Sequence, residues 1–279
     1  MSEKTIVVCM NEIERTDQML GVIKALSAKE DSHFVALYVV PAIQVYPSAG
    51  MQLSTQVYDG FQKYYLEHAK EVKAKFDKLL ADEGLKGEWR QVRSQSTVIA
   101  EVVIEHGRTC DLVVVPQSRS DDGSGIETGF AEQVVMDCGR PVLVIPTYGE
   151  FEKIGTSVLV AWNSARESSR AVFDAMSFLQ QADKVDVSWL NPDKGEDGMD
   201  LPGAEIATVL ARHNIKVVVE AIPTGGLAIG EALLSHASDI GADMLVMGAY
   251  GHSRMREFVF GGATRTILES MTVPVLMSH

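Results

Sequence analysis

The sequence predicts an α/β fold made of two tandem domains, each built on an open parallel sheet. Three observations carry that expectation. Short apolar runs alternate with longer segments whose apolar residues fall at helical spacing, the pattern of strand–helix–strand units. The same order of elements runs twice through the 279 residues, a length that accommodates two domains of ordinary size. The two copies also share residues. Asp111-Leu-Val-Val-Val returns 132 positions later as Asp243-Met-Leu-Val-Met, and Arg140-Pro-Val-Leu-Val returns 133 positions later as Val273-Pro-Val-Leu-Met.

In the first copy, Ile6–Met10 reads as a strand because it is apolar, short and closed by Asn11. Thr16–Ala28 reads as a helix, with Met19, Leu20, Ile23 and Leu26 along one stripe. Phe34–Val40 is a strand ended by Pro41, and Thr55–Asp82 a long helix with Val57, Phe61, Tyr64, Tyr65, Ala69, Val72, Phe76 and Leu79 on one face. Trp89–Val92 and Leu112–Val115 are strands on either side of a helix over Val98–His106, followed by a helix over Glu127–Asp137 and a last strand from Pro141 to Pro146.

The second copy reads Val158–Trp162 (strand), Ser168–Leu179 (helix), Val185–Leu190 (strand), Ala204–His213 (helix), Ile215–Ala221 (strand), Ala228–Ala237 (helix), Met244–Met247 (strand), Thr264–Ser270 (helix) and Val273–Met277 (strand). Its first strand lies 152 positions after the first copy's, so the first copy holds about 20 more residues, placed most simply in its loop and helix at 41–82. Thr147–Lys153, with Gly149 at its centre, is the linker, which sets expected domains at 1–147 and 154–279.

Composition excludes several classes. Hydrophobic residues at 46% and charged residues at 23% fit a folded globular chain. With 25 Lys and Arg against 38 Asp and Glu, the net charge is −13 and the pI about 5.0. So acidic a chain is not held to nucleic acid or an anionic membrane by its overall field. No run approaches the ~20 apolar residues of a membrane span, and the apolar run near the start is shorter than a secretory core. Three sparse cysteines, Cys9, Cys110 and Cys138, fit a reducing compartment rather than a disulfide framework. The expected location is the cytoplasm.

In open parallel sheets ligands bind beyond the carboxyl ends of the strands. The segment there in the second copy is Gly248-Ala249-Tyr250-Gly251, then Gly261-Gly262-Ala263-Thr264, a spacing of G-x2-G-x9-G-G-x-T. Gly248 and Gly251 let a ribose or phosphate approach the backbone without interference from a Cβ. Gly261 and Gly262 open the next helix, whose unpaired N–H groups and dipole favour an anion, and Thr264 adds a hydroxyl. The pattern is neither a P-loop nor a dinucleotide fingerprint. The bland alternative is that the glycines are merely a strand exit and a helix entry, a reading that four glycines and a Thr placed together make the weaker one.

These residues, together with the duplicated order, resemble the universal stress proteins, and the resemblance covers nearly the whole chain as a tandem pair. It implies two Rossmann-like domains of the adenine nucleotide alpha hydrolase type, paired about a pseudo-twofold axis, with the fifth strands Val142–Ile145 and Val275–Met277 crossing between halves. It also implies ATP at the glycine segment, with Gly248, Gly251 and Gly261 on motif positions and Gly262, Ala263 and Thr264 on the phosphate turn. Gly262 departs from the family's usual Ser or Thr. The other wall comes from Ala161 and Asn163, where the family usually has Asp, and from Leu190 after the second strand. Asn163 serves equally as a helix cap. A Mg2+ ion is allowed with the phosphates, though no carboxylate in the motif is an obvious ligand. Arg254, Arg256 and Arg265 lie near the cradle in sequence, although solvated positions explain them as well.

The first copy lacks this signal. The offsets map Gly248 to Pro116, Gly251 to Arg119, Gly261 to Thr128, Gly262 to Gly129 and Thr264 to Ala131, and its loop carries Asp121-Asp122. Pro116 removes an N–H where the cradle would begin. This half is expected not to bind ATP, and to serve as pairing partner or to hold a different ligand. Gly251-His252-Ser253-Arg254-Met255 fails the hydrolase elbow at its last position. His106 and Cys110, four apart, are better explained by packing than by zinc, and Cys9 and the methionines read as core.

The expected function is a stress-response protein that binds ATP or another adenine nucleotide in its second domain, for binding and signalling rather than dedicated catalysis. A homo-oligomer on top of the intrachain pair is compatible with it; nucleic acid and membrane partners are not expected. The alternatives are a nucleotide-free interaction scaffold and a weak ATPase.

Overall fold

A computed structural model describes residues 3–42, 55–118, 126–189, 203–222, 225–251 and 262–279. The first half runs β1 (Lys4–Cys9), a short 3-10 turn (Ile13–Arg15), α1 (Thr16–Ser27), β2 (Ser32–Val40), α2 (Thr55–Glu83), β3 (Lys86–Arg93), α3 (Ala100–Gly107), β4 (Leu112–Pro116), α4 (Phe130–Asp137) and β5 (Val142–Ile145). The second half runs β6 (Ser157–Trp162), α5 (Arg166–Asp174), α6 (Met176–Gln181), β7 (Lys184–Trp189), α7 (Ala204–Arg212), β8 (Val217–Ala221), α8 (Ile229–Asp239), β9 (Met244–Gly248), α9 (Ala263–Ser270) and β10 (Val275–Ser278).

All ten strands form one sheet in the order β3-β2-β1-β4-β5-β10-β9-β6-β7-β8. Within each half every pairing is parallel. The junction alone is antiparallel, with Leu143 opposite Leu276 and Val142 opposite Met277. The strand order reads the same from either end, so the halves are related by an approximate two-fold axis at this junction. The expectation that the fifth strands cross between halves is corrected here. Each stays beside its own fourth strand, β5 on β4 and β10 on β9, and the two meet edge to edge.

Helices cover both faces of the sheet, which explains why the strands are apolar at successive positions rather than alternating. Ile6 and Val8 face one core with α1 and α2, whereas Val7 and Cys9 face the other with α3 and α4. Each core continues across the junction into the second half. The repeated residues have a local purpose. Asp111 accepts the Thr5 N–H at 2.8 Å, and Asp243 accepts those of Thr156 and Ser157 at 2.9 and 3.1 Å, fastening each fourth strand to its first. The carbonyls of Pro141 and Pro274 accept Val113 and Leu245 N–H groups at the start of each fifth strand.

Several element boundaries differ from the sequence reading, two of them for a visible reason. The helix expected over Ser168–Leu179 breaks at Ala175, whose carbonyl accepts N–H groups from both Phe178 and Leu179. Asp174, ending α5, accepts the Ser278 hydroxyl of β10 at 2.7 Å, which fixes the break against the last strand. The helix expected from Glu127 starts at Phe130, because Glu127 caps α3 instead, accepting the Ile99 and Ala100 N–H groups at 3.2 and 2.8 Å.

Beyond the strands, side chains tie the halves. Gln117 donates to the Leu268 carbonyl at 2.7 Å and accepts the Thr147 N–H at 2.8 Å, while Lys4 reaches the Ser177 hydroxyl and Lys29 the Gly155 carbonyl, both at 2.8 Å. Among the described residues no helix is long and apolar enough to cross a membrane.

Candidate functional site

In the second half the chain leaves β6 towards β7 on one side and reaches β9 on the other. The crevice beyond the carboxyl ends of β6 and β9 is therefore the switch point at which such sheets receive ligands. Ala161, buried, lies beside Met247 across this crevice. Asn163 is exposed, and its Oδ1 accepts the Ala165 N–H at 3.0 Å, shaping the turn into α5. The bond closes a turn just ahead of α5 rather than capping the helix, whose cap residue is Ala165 and has no side-chain hydrogen bond.

On the other wall, Ala249 bonds the Ser278 carbonyl at 2.9 Å and Tyr250 adopts φ +55°. A left-handed bulky residue is strained and persists only where its surroundings hold it. Thr264 supplies the hold: 2% exposed, it accepts the Tyr250 N–H on its Oγ1 at 3.2 Å. Thr264 therefore joins the β9 turn to the first turn of α9. Gly262, with φ −56° and ψ 148°, occupies the cap position and offers no side chain, and no acidic residue stands in the first turn of α9. The opening N–H groups of such a helix have no intrahelical acceptors and carry the positive end of its dipole.

The two described glycines of the segment differ in what they serve. A Cβ at Gly248 would lie 2.4 Å from the backbone C of Glu167 and N of Ser168. Glycine is required there by α5, which packs its first turn directly onto β9. A Cβ at Gly251 would instead meet the Glu167 Oε2 at 3.0 Å, the end of a flexible side chain.

Glu167 is the residue that sequence reasoning missed. It is 7% exposed, its Oε1 bonds the Arg166 Nε and Nη2 at 3.0 and 2.8 Å, and its Oε2 lies against Gly251. A carboxylate thus stands beside the anion-favouring turn, its Oε1 paired with the exposed Arg166 and its Oε2 turned to Gly251. Its only sequence signal was its place one turn after a strand end, which many surface residues share.

Leu190, Gly261, Arg254, Arg256 and Ser253 lie outside the described residues. Arg265 is exposed and bonded to Glu269 at 2.7 Å, as a solvated residue would be. No cluster of three or more potential metal ligands occurs among the described residues. Cys110 donates to the Gly107 and Leu112 carbonyls, and His106 lies 3.3 Å from Arg90; burial and that guanidinium hold its pKa below the usual histidine range.

The equivalent crevice of the first half is filled. Asn11 sits 152 positions before Asn163, but it is buried and latches β2, donating to the Val39 carbonyl at 2.6 Å and accepting its N–H at 2.9 Å. Arg15, matching Glu167 by the same offset, donates to Glu12 at 2.8 Å and to the carbonyls of Gln117, Ile145 and Pro146 at 3.1, 2.9 and 2.7 Å. Pro116 ends β4 without an N–H, Gly129 caps α4 with φ +78°, and Glu132 stands in that helix's first turn. The carbonyls that would border a ligand here are already engaged by the chain's own guanidinium.

The sequence profile of the Universal stress protein family matches residues 3–146 and again 158–279. The chain belongs to the universal stress protein family. Among relatives, the universal stress protein Slr1230 of Synechocystis sp. is 31% identical over 152 residues, which is 52% of this chain and 49% of that protein. The chain therefore spans about half the length of that curated relative. Among solved structures, a universal stress protein from Archaeoglobus fulgidus superposes over 99% of this chain and 96% of its own, with a TM-score of 0.69 at 18% identity. A Pseudomonas aeruginosa structure described as a putative universal stress protein covers 99% and 93%, with a TM-score of 0.53 at 15% identity. Such similarity shows the shared fold of two tandem universal stress domains.

Proposed function

We propose that the second half of this universal stress protein, the domain at 154–279, binds an adenine nucleotide, ATP, beyond β6 and β9. The domain at 1–147 then serves as its pairing partner without binding ATP. The observation that carries this reading is the start of α9: uncapped, free of acid, and held against the Tyr250–Gly251 turn by Thr264. In it the backbone of Gly251, Gly261, Gly262, Ala263 and Thr264 receives phosphates, with Gly248 beside them, and Ala161, Asn163 and Leu190 border the nucleoside. Thr264 contributes by positioning, because its oxygen already holds Tyr250. The cradle fits an anion, whereas Glu167 does not fit an uncompensated one. A Mg2+ ion carried with the nucleotide would offset that carboxylate, as Mg2+ commonly binds through one carboxylate plus phosphates. The role is binding and signalling in a stress response, in the cytoplasm, rather than dedicated catalysis.

Mass analysis of small molecules released on denaturing the purified protein tests this reading. About one adenine nucleotide per chain is expected; two per chain would refute the assignment to one half. Added at 100 times its dissociation constant, ATP should stabilise the fold by about 2.7 kcal/mol. A second reading, a nucleotide-free scaffold, is favoured by two observations: α5 packing accounts for Gly248, and Glu167 faces the cradle. An unchanged melting temperature with ATP, with and without Mg2+, would leave that reading standing.

A further inference from the structure

The two ends of the ten-stranded sheet are built differently. At one end β3 carries Lys86, Glu88 and Arg90 outward, and these charges are engaged: Lys86 pairs with Glu3 at 2.9 Å and Asp31 at 3.1 Å, and Glu88 with Arg90. Charged outward positions are a usual protection for a sheet edge. At the other end β8 carries three consecutive valines, Val217–Val219, and Val218 is 47% exposed. Six large hydrophobic residues are well exposed among the described residues, and three of them follow one another along this part of the chain: Val218 on β8, Leu227 in the connection after it and Ile229 at the start of α8. Exposed apolar side chains concentrated beside a strand edge mark an interaction surface.

The sequence of this edge selects its partner. Side chains alternate along a strand, so Val218 and Glu220 share one face of β8, with Lys216 in step one residue before it; all three are exposed, and within the chain Glu220 meets only the His236 ring, at 3.9 Å, among the ion pairs of the described residues. Reversed, the segment Lys216-Val217-Val218-Val219-Glu220 complements itself. In an antiparallel pair centred on Val218, each Lys216 stands opposite the other copy's Glu220, each Val217 opposite Val219, and Val218 opposite its own counterpart. Opposite charges directly across antiparallel strands stabilise pairing, and like charges oppose it. We propose that β8 is the homodimerisation edge of this protein, joining two copies through an antiparallel β8–β8 contact about a two-fold axis at Val218. Such a contact closes on itself, so assembly stops at two chains. It extends one ten-stranded sheet into another and leaves both crevices beyond β6 and β9 outside the junction.

Sedimentation velocity of the full chain over a concentration series tests this. A monomer–dimer equilibrium is expected. Lys216→Glu and Glu220→Lys, each placing two like-charged pairs across the junction, should each weaken it by on the order of 10-fold. The double variant inverts both charges and restores the complement, so it should recover dimerisation. Both positions are exposed, and melting temperatures equal to the parent's at concentrations where both are monomeric would confirm that each variant folds. A monomer at every concentration, a dimer indifferent to both single variants, or open-ended polymers from β8 on β3 would overturn the proposal.

Discussion

Alanine at Gly248 and at Gly251 should have opposite consequences, although the two glycines belong to one motif. Neither has a left-handed backbone, so alanine is conformationally permitted at both. At position 248 the added methyl would stand 2.4 Å from two backbone atoms of α5 and 2.8 Å from the Glu167 Cβ. No rotamer change relieves a contact with backbone. The helix must move by about an ångström, at a cost of roughly 1–3 kcal/mol for overpacking a buried site. At position 251 the methyl meets the Glu167 Oε2 at 3.0 Å, which a small rotation clears, and otherwise makes ordinary contacts at 3.7 Å with the Ala165 Cβ and the Glu167 Cδ. Gly251→Ala should therefore fold within about 0.5 kcal/mol of the parent, yet obstruct phosphate approach and abolish the thermal shift with ATP. Urea unfolding of the ligand-free variants measures the first effect, and melting with and without ATP the second. Gly248→Ala as stable as the parent would refute the packing argument, and Gly251→Ala that keeps the full ATP shift would refute the cradle.

Glu167→Gln removes the carboxylate beside the cradle, and should tighten ATP binding in the absence of Mg2+ while shrinking the benefit of adding Mg2+; calorimetry showing no change in either would contradict the electrostatic role given to it. Gln117→Ala leaves the Leu268 carbonyl and the Thr147 N–H without their partner between halves, and should cost roughly 1–3 kcal/mol, read in urea unfolding. Burial pushes the Cys9 and Cys110 thiols up to about 12 from an ordinary 9.0. Only the unfolded chain then releases these protons as pH rises from about 9 towards 12, so stability falls across that window and is untouched by these groups below it. A Cys9→Ala, Cys110→Ala variant should lose less stability there, and an equal loss in denaturant titrations would contradict the assignment.

The strands themselves were legible because both faces of this sheet are covered, which writes each strand as a short apolar run, whereas their order in the sheet was not. The repeat was legible because Asp111 and Asp243 fasten equivalent strands, so the same residue recurs at a fixed offset. The charged side chains of the crevices were not legible. Arg15 and Glu167 occupy equivalent positions, yet their roles arise from carbonyls and glycines more than 80 residues away in sequence. Glycine at 248 signalled close approach, but not what approaches; helix α5 rather than a ligand accounts for it. The break at Ala175 depends on a hydrogen bond from the far end of the chain, which no local periodicity encodes.

The antiparallel junction of β5 with β10 pairs only three residues on each side. As separate chains, two halves would meet only as often as their concentration allowed, whatever the strength of the cores and side chains that join them. The connection through Thr147–Lys153 makes the encounter intramolecular, at an effective concentration in the millimolar range typical of short tethers. Arg15 and Gln18 shorten the tether further by holding the carbonyls of Pro146 and Gly149. Pairing of the halves is thereby independent of how much protein the cell makes, and a single proteolytic cut in this segment would return it to the control of concentration.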